Sequence, residues 1–370
     1  MTIERITLRF VTTTLTHPFE NRWQRYHTWT KLVVAVDGGD AVGLGECAAM
    51  ETPFYNYETI ETAWHITERY LAPMLLRAGA DDPETAMATW AEVNGHEEAK
   101  GGLECALWDL RARRAGRPLC AELGGAVRPV PAGATVGIEP TIDELLANIA
   151  RIRDAGYQRV RVKIRPGWDV EPLARIVAAF PGLPVVADAN AAYPESSLDD
   201  LVALDGLGLM AIEQPFPRHL IETTAALQAR IATPVCLDEQ IHSLHETRQA
   251  CRMKAGRMVN IKVGRVGGLA EARRVHDLCR AEGIDLFVGG KWDQGLGRWC
   301  AVALATLPGM TLPSDVGPSG HYYLDDGADP KVEFVRPGWV APADRPGLGA
   351  EQAANVEVVR ELEITAKEAR

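Results

Sequence analysis

The sequence predicts an α/β protein: a (β/α)8-type barrel, or its (β/α)7β modification, with an α+β capping domain formed by the N-terminus and the C-terminal tail. Three observations predict it. From about residue 126, short apolar strands alternate with amphipathic helices, and eight such units over ~190 residues is the arithmetic of a barrel. Before that point strands come first and helices second, the order of an α+β domain. Finally, no GxGxxG follows the first alternating strand, which counts against an open doubly wound sheet. A length of 370 residues suits one large domain and a smaller one.

Residues 1–60 read as strands, because ERITLRFVTTTL and WTKLVVAVDGG alternate and the second ends in a Gly-Gly turn. TIETAWHITERYLAPML and AKGGLECALWDLRARRAG carry apolar residues at helical spacing, the latter stopping at Gly116. These segments define a capping domain over 1–125. Barrel strands are expected at 129–138, 159–164, 183–190, 209–215, 233–239, 258–264, 284–290 and 310–315, with helices between them such as 142–155 and 268–282. The barrel domain then spans 126–320. The segment 321–370, rich in Gly, Pro and Asp, is expected to return to the capping domain.

Composition narrows the function. Thirty-nine basic against fifty acidic residues give a net charge of −11, which argues against a nucleic-acid partner. No apolar run reaches membrane-spanning length and MTIERITLRF is not a signal peptide, so no membrane partner is expected. Seven scattered cysteines without a CxxC fit reduced thiols of a cytoplasmic protein, each a small buried apolar residue.

The strand ends carry the chemistry. Lys163, Asp188, Glu213, Asp238 and Lys262 follow one another at intervals of 25, 25, 25 and 24, one per βα unit. They are expected at one height on the C-terminal face, where barrel active sites are built. Asp188, Glu213 and Asp238 lie on neighbouring strands, and three converging carboxylates repel unless a hard dication sits between them. Oxygen-only ligands suit Mg²⁺, or Mn²⁺. Lys163 and Lys262 lie four positions apart in a ring of eight, facing each other across a metal-bound carboxylate substrate. That arrangement points to removal of the proton alpha to the carboxylate, the metal stabilising the enediolate. A strand-end carboxylate is commonly a helix cap and a strand-end lysine a solvated charge. Five in this order and spacing make coincidence a poor account.

These residues carry a resemblance. The sequence resembles the enolase superfamily, muconate-lactonizing-enzyme subgroup, and within it the o-succinylbenzoate synthase / N-succinylamino acid racemase family, over essentially the whole chain. RVKIRPGWD (161–169) is similar to the K-x-K-x-x-P-G-x-D stretch, with Arg161 at its first lysine and Lys163 at its second. ADAN, IEQP and LDE resemble the three ligand motifs, NIKVGRVGGL (260–269) the second-lysine motif, GHEEAKGGLECALWDLRARRAGRPLCAELGG (95–125) the helical part of the cap, and AMETPFYNYET (49–59) its substrate-covering loop. The resemblance implies that loops near 19–29 and 50–57 shape specificity. It implies that Lys163 takes the α-proton and, in a syn elimination, protonates the departing hydroxyl. In a racemization, Lys163 and Lys262 work from opposite faces. Asn190, Glu239 and Arg161 would orient the ligands, and Thr135 stands where the family often has a serine near the substrate carboxylate. Gly290, Lys291, Trp292 and Asp293, just past the seventh strand, and Trp23 and Tyr55 of the two cap loops are the further expected substrate contacts. Relatives are commonly multimers, so a homo-oligomer is compatible with the resemblance.

One stretch departs. Where the family has G-G-M-x-E-[ST]-G-I-G-R, this chain has GGKWDQGLGR at 289–298. Lys291 is expected either to contact the remote end of the substrate or to pair with Asp293 and face away. The aromatic set Trp23, Tyr26, His27 and Trp29 either packs the two domains together or lines the lid. The leading function is therefore a synthase-type dehydration, with N-acylamino acid racemization beside it. An epimerase or cycloisomerase acting on another carboxylate is the alternative, although dipeptide epimerases carry a DxD pair where this chain has KWDQ. A non-enzymatic binding protein would be expected to have a damaged ligand set, and this one is complete.

Overall fold

The computed structural model describes residues 3–20 and 25–367. Strands β1 (Arg5–Glu20), β2 (Arg25–Asp37) and β3 (Val42–Cys47) form an antiparallel sheet, and the C-terminal strand β11 (Glu357–Thr365) adds to its edge beside β1. The alternation read in β1 is real: Ile6, Leu8 and Phe10 are buried on one face. The centre of β2 is buried from Lys31 to Val36, because both of its faces are covered. Helix α1 (Glu97–Arg114) covers one of them, with Leu103, Leu107 and Leu110 against this sheet and Cys105, Trp108 and Ala112 in the core shared with the barrel. Its approach to β3 needs glycine, since a Cβ on Gly45 would stand 2.2 Å from the Gly102 carbonyl.

Seven parallel strands follow in consecutive order: β4 (Gly133–Val136), β5 (Arg159–Lys163), β6 (Val185–Asp188), β7 (Ala211–Glu213), β8 (Val235–Leu237), β9 (Met258–Ile261) and β10 (Asp285–Val288). Helices lie between them, including α2 (Ile142–Asp154) and α3 (Leu269–Ala281), close to their expected bounds. Thr141 starts α2 by accepting the Glu144 N–H at 3.2 Å. After β10 comes α4 (Gly295–Leu304).

The eighth strand expected at 310–315 is not formed. Pro313 has no N–H to give a ladder, and the stretch makes only an isolated bridge from Ser314 to Ala132. That bridge is enough to close the ring. Gly133 N–H donates to the Ser314 carbonyl at 2.7 Å on one side, and Asp315 N–H donates to the Val288 carbonyl at 2.8 Å on the other. The tail does more than return to the first sheet: on its way Trp339–Val340 pairs with Val130–Pro131, just ahead of the first barrel strand. All seven cysteines are free, and all but Cys251 are buried. Among the described residues no helix is long and apolar enough to cross a membrane.

Candidate active site

Strand register decides which side chains meet. Lys163 stands opposite Asp188, and Asp188 opposite Glu213. The common height expected of five residues holds for these three. Glu213 pairs with Cys236, so Asp238 stands two residues higher, and Met258 also pairs with Cys236, which lifts Lys262 two further. The cause is the stagger that a closed, tilted barrel imposes. Each step is two residues, so all five side chains keep the same inward parity.

At this rim cations and carboxylates interlock. Lys163 Nζ donates to Asp188 at 2.7 Å and also to the side-chain oxygen of Asn190. Asn190 is itself held, donating its side-chain N–H to Glu239 at 3.0 Å. Across the mouth, Lys262 Nζ donates to Asp238 at 2.8 Å and to the Tyr55 hydroxyl at 2.9 Å, and Arg265 donates to the same two groups. Between them Arg161 reaches Thr135 at 3.0 Å, Glu213 at 2.9 Å and Asp315 at 2.5 Å. Thr135, Asn190, Glu239 and Arg161 are thus brought together with the carboxylates, and Tyr55 reaches them from the 50–57 segment.

Electrostatics separates Asp238 from Glu213 and Glu239. Burial would raise Asp238, but Arg265 and then Lys262 outweigh it and hold its carboxyl far below the usual range. Glu213 is pushed up to about 7, chiefly by burial, against the opposing charge of Arg161. Glu239 is raised by burial and by the neighbouring Asp238. Glu213 Oε2 is buried with no hydrogen-bond partner among the described residues, an acceptor left open at the centre of the group. Among the described residues no cluster of acidic, histidine or cysteine groups is gathered tightly enough to hold an ion as it stands; Asp188, Glu213 and Asp238 are each turned toward a cation.

In the turn at 289–298 the side-chain partner of Lys291 is Glu98, not the expected Asp293. Asp293 accepts the Lys291 backbone N–H at 2.9 Å and so braces its own turn. The Lys291 ammonium is buried and bonded to Glu98 on α1, with its Nζ 5.3 Å from the centre of the Tyr55 ring. Burial would raise Glu98, but the Lys291 charge prevails and keeps it below the usual range. A Cβ on Gly290 would come within 3.2 Å of Asp293, so that position serves the turn. Trp292, at a positive φ of 57°, stacks on Trp29 at 5.5 Å. Tyr26, Trp29, Met50 and Tyr323 form a small core there, which agrees with the packing role; His27 is exposed, and Trp23 lies outside the described residues.

Sequence reasoning missed Asn260, Arg265, Asp315 and Glu98. Asn260 donates to Glu213 at 2.8 Å and lies two residues before Lys262, a parity that could have found it. Arg265 stood inside NIKVGRVGGL. Glu98 gave no signal, since its partner is 193 residues away.

A closed barrel whose C-terminal rim gathers buried carboxylates, lysines and arginines defines an enzyme that works on a small molecule. Residues 5–124 match the mandelate racemase / muconate lactonizing enzyme N-terminal domain, and residues 144–356 match the enolase C-terminal domain-like family. The chain belongs to the mandelate racemase / muconate lactonizing enzyme family of the enolase superfamily. It is 41% identical over 348 residues to an o-succinylbenzoate synthase from Geobacillus kaustophilus, covering 94% of this chain and 92% of that one. It is 40% identical over 353 residues to an N-succinylamino acid racemase from an Amycolatopsis species, covering 94% and 95%. Its fold is similar to a solved enolase-superfamily member from Listeria innocua, with a TM-score of 0.95, 28% identity, and 99% and 100% of the two chains covered.

Proposed function

We propose that the protein removes the proton alpha to the carboxylate of a small substrate, and that the net reaction is dehydration of the o-succinylbenzoate synthase type, racemization of an N-acylamino acid, or both. The observation that carries this reading is the placement of two lysines. Lys163 and Lys262 each end on a strand-end carboxylate, at 2.7 and 2.8 Å, four strand positions apart in the ring. The names of relatives at 40–41% identity support it.

Asp188, Glu213 and Asp238 offer a hard, all-oxygen donor set, and the unpartnered Glu213 Oε2 fits a divalent cation, Mg²⁺ or Mn²⁺. When bound, such an ion supplies positive charge to the substrate carboxylate as the α-proton leaves. The rest falls to the chain. Lys163, aimed by Asn190 and through it by Glu239, would take the proton on one face. In dehydration the same group would return it to the departing hydroxyl. In racemization Lys262, aimed by Tyr55, would deliver a proton to the other face. Thr135 and Arg161 would border the substrate carboxylate. A dipeptide substrate is disfavoured, because Asp293 is committed to its own turn instead of offering charge to an ammonium.

The test is a pair of assays with Mg²⁺ present: formation of o-succinylbenzoate from its hydrated precursor, and exchange of the α-proton of N-succinylamino acids in deuterated water. Turnover in at least one is expected. Silence in both, from a folded protein, would overturn the reading.

A further inference from the structure

Lys291 is buried at a place where an uncompensated ammonium would be costly. Glu98 compensates it. The same Glu98 oxygen, Oε1, accepts the Asn56 side-chain N–H at 2.6 Å, so one carboxylate oxygen ties the barrel turn to the 50–57 segment. The segment is gripped a second time one residue earlier. The Tyr55 ring faces Lys291 Nζ and Lys262 Nζ, each 5.3 Å from its centre, and the Tyr55 hydroxyl accepts from Lys262. From Lys291 the contacts therefore run through Glu98 and Asn56 to Tyr55, and end on one of the two opposed lysines. Among the described residues nothing comparable reaches Lys163, whose side-chain partners, Asp188 and Asn190, belong to the barrel.

We propose that Glu98 and Lys291 form an ion-pair latch that holds the 50–57 segment over the barrel mouth and so positions Lys262, but not Lys163. Both are positioning residues. Lys291 does not read an anionic group at the remote end of the substrate, because its charge is already matched inside the protein. The part of the latch that concerns Lys262 rests on the proposed α-proton chemistry; the part that concerns the segment does not.

The test is a double-mutant cycle of Lys291→Met, Glu98→Gln and the pair together, with two readouts on the full chain. Amide hydrogen exchange reports the 50–57 segment without any substrate. Its protection should fall in each single variant, where one partner is left buried and alone, and return in the pair, where an apolar and a neutral group face each other. The second readout is α-deuterium incorporation into each enantiomer of an N-succinylamino acid. Incorporation that depends on Lys262, identified with Lys262→Ala, should fall by about tenfold or more in the single variants, the equivalent of one lost hydrogen bond to a charged group. Incorporation that depends on Lys163 should stay within about threefold, and the pair should recover most of the loss. Unchanged protection of the segment, or single effects that simply multiply in the pair, would overturn the latch. Equal losses on both faces would overturn its link to Lys262. If the wild-type protein exchanges no α-proton while the protection cycle behaves as stated, the latch stands and the proposed chemistry fails.

Discussion

Glu46 and Gln294 join the N-terminal sheet to the barrel by exchanging roles. Glu46, on β3, accepts the Gln294 backbone N–H at 2.8 Å and the Gly297 N–H at 2.9 Å, capping α4 from another part of the fold. Gln294 in turn sends its side-chain N–H groups to the Val11 carbonyl, the Thr13 hydroxyl and the Trp29 carbonyl, at 3.2, 3.0 and 3.0 Å. Helix α3 is capped the same way: Glu104 on α1 accepts Leu269 N–H at 2.7 Å and Ala270 N–H at 2.8 Å. Neither barrel helix has a side-chain cap of its own. The orphan N–H groups that every helix start leaves open have become the contact between the two parts of the enzyme.

Glu46→Ala should therefore lower stability by about 1–3 kcal/mol, the cost of stranding buried donors. It should also loosen the 289–298 turn. Thermal unfolding and hydrogen exchange of that turn measure the two effects. An unchanged melting temperature would mean the donors find another partner.

The same carboxylates set a pH dependence. Burial pushes Glu46 and Glu104 each up to about 7 from a usual 4.5. An acid raised on folding binds its proton more tightly in the folded state. Its contribution to stability is whole below about 4.5 and is lost as the pH climbs through about 7. The melting temperature should fall from about pH 5 to about pH 8, and the fall should be shallower in Glu104→Gln, which cannot ionise. Equal slopes for the variant and the wild type would refute the assignment to Glu104.

Much of this protein was legible in its sequence. Alternation in ERITLRFVTTTL, the regular recurrence of short apolar strands, and one charged residue per strand end were enough for the barrel and its rim. Local pattern does not fix register, so the stagger that lifts Asp238 and Lys262 above Glu213 was invisible. Nor does it reveal which distant side chain neutralises a charge, which is why the pairing of Lys291 with Glu98 could not be read from it. The eighth strand failed for a local reason, Pro313, that an apolar count passes over.

Metal binding should be measurable without turnover. Mg²⁺ should raise the melting temperature, since an ion that binds only the folded state stabilises it, and Asp238→Asn should abolish most of that rise. Full activity in excess chelator would contradict a metal role for Asp188, Glu213 and Asp238.

The two lysines should separate by reaction. Lys163→Ala should abolish dehydration, where one group both takes and returns the proton. Lys262→Ala should cut racemization more deeply than dehydration. Normal α-proton exchange by Lys163→Ala in both enantiomers would reverse the assignment of the base.

Arg161 gives the last prediction. Its guanidinium spreads over Thr135, Glu213 and Asp315 in three directions, with its side chain 7% exposed. A lysine carries one ammonium at the end of a flexible stem and cannot reproduce that fork. In Arg161→Lys the ammonium should stay with Glu213 and leave Thr135 without its donor and Asp315 with Arg159 alone. Asp315 closes the barrel seam against Val288, so the loss should spread to the ring itself. Removing one member of a buried ion pair costs about 3–5 kcal/mol, which is the expectation for Arg161→Ala. Arg161→Lys should cost roughly half as much, because it keeps the charge and loses the geometry. Chemical denaturation of both variants measures the difference. If Arg161→Lys unfolds with the wild-type midpoint, the positive charge at that position suffices and the three-way fork contributes nothing to the barrel.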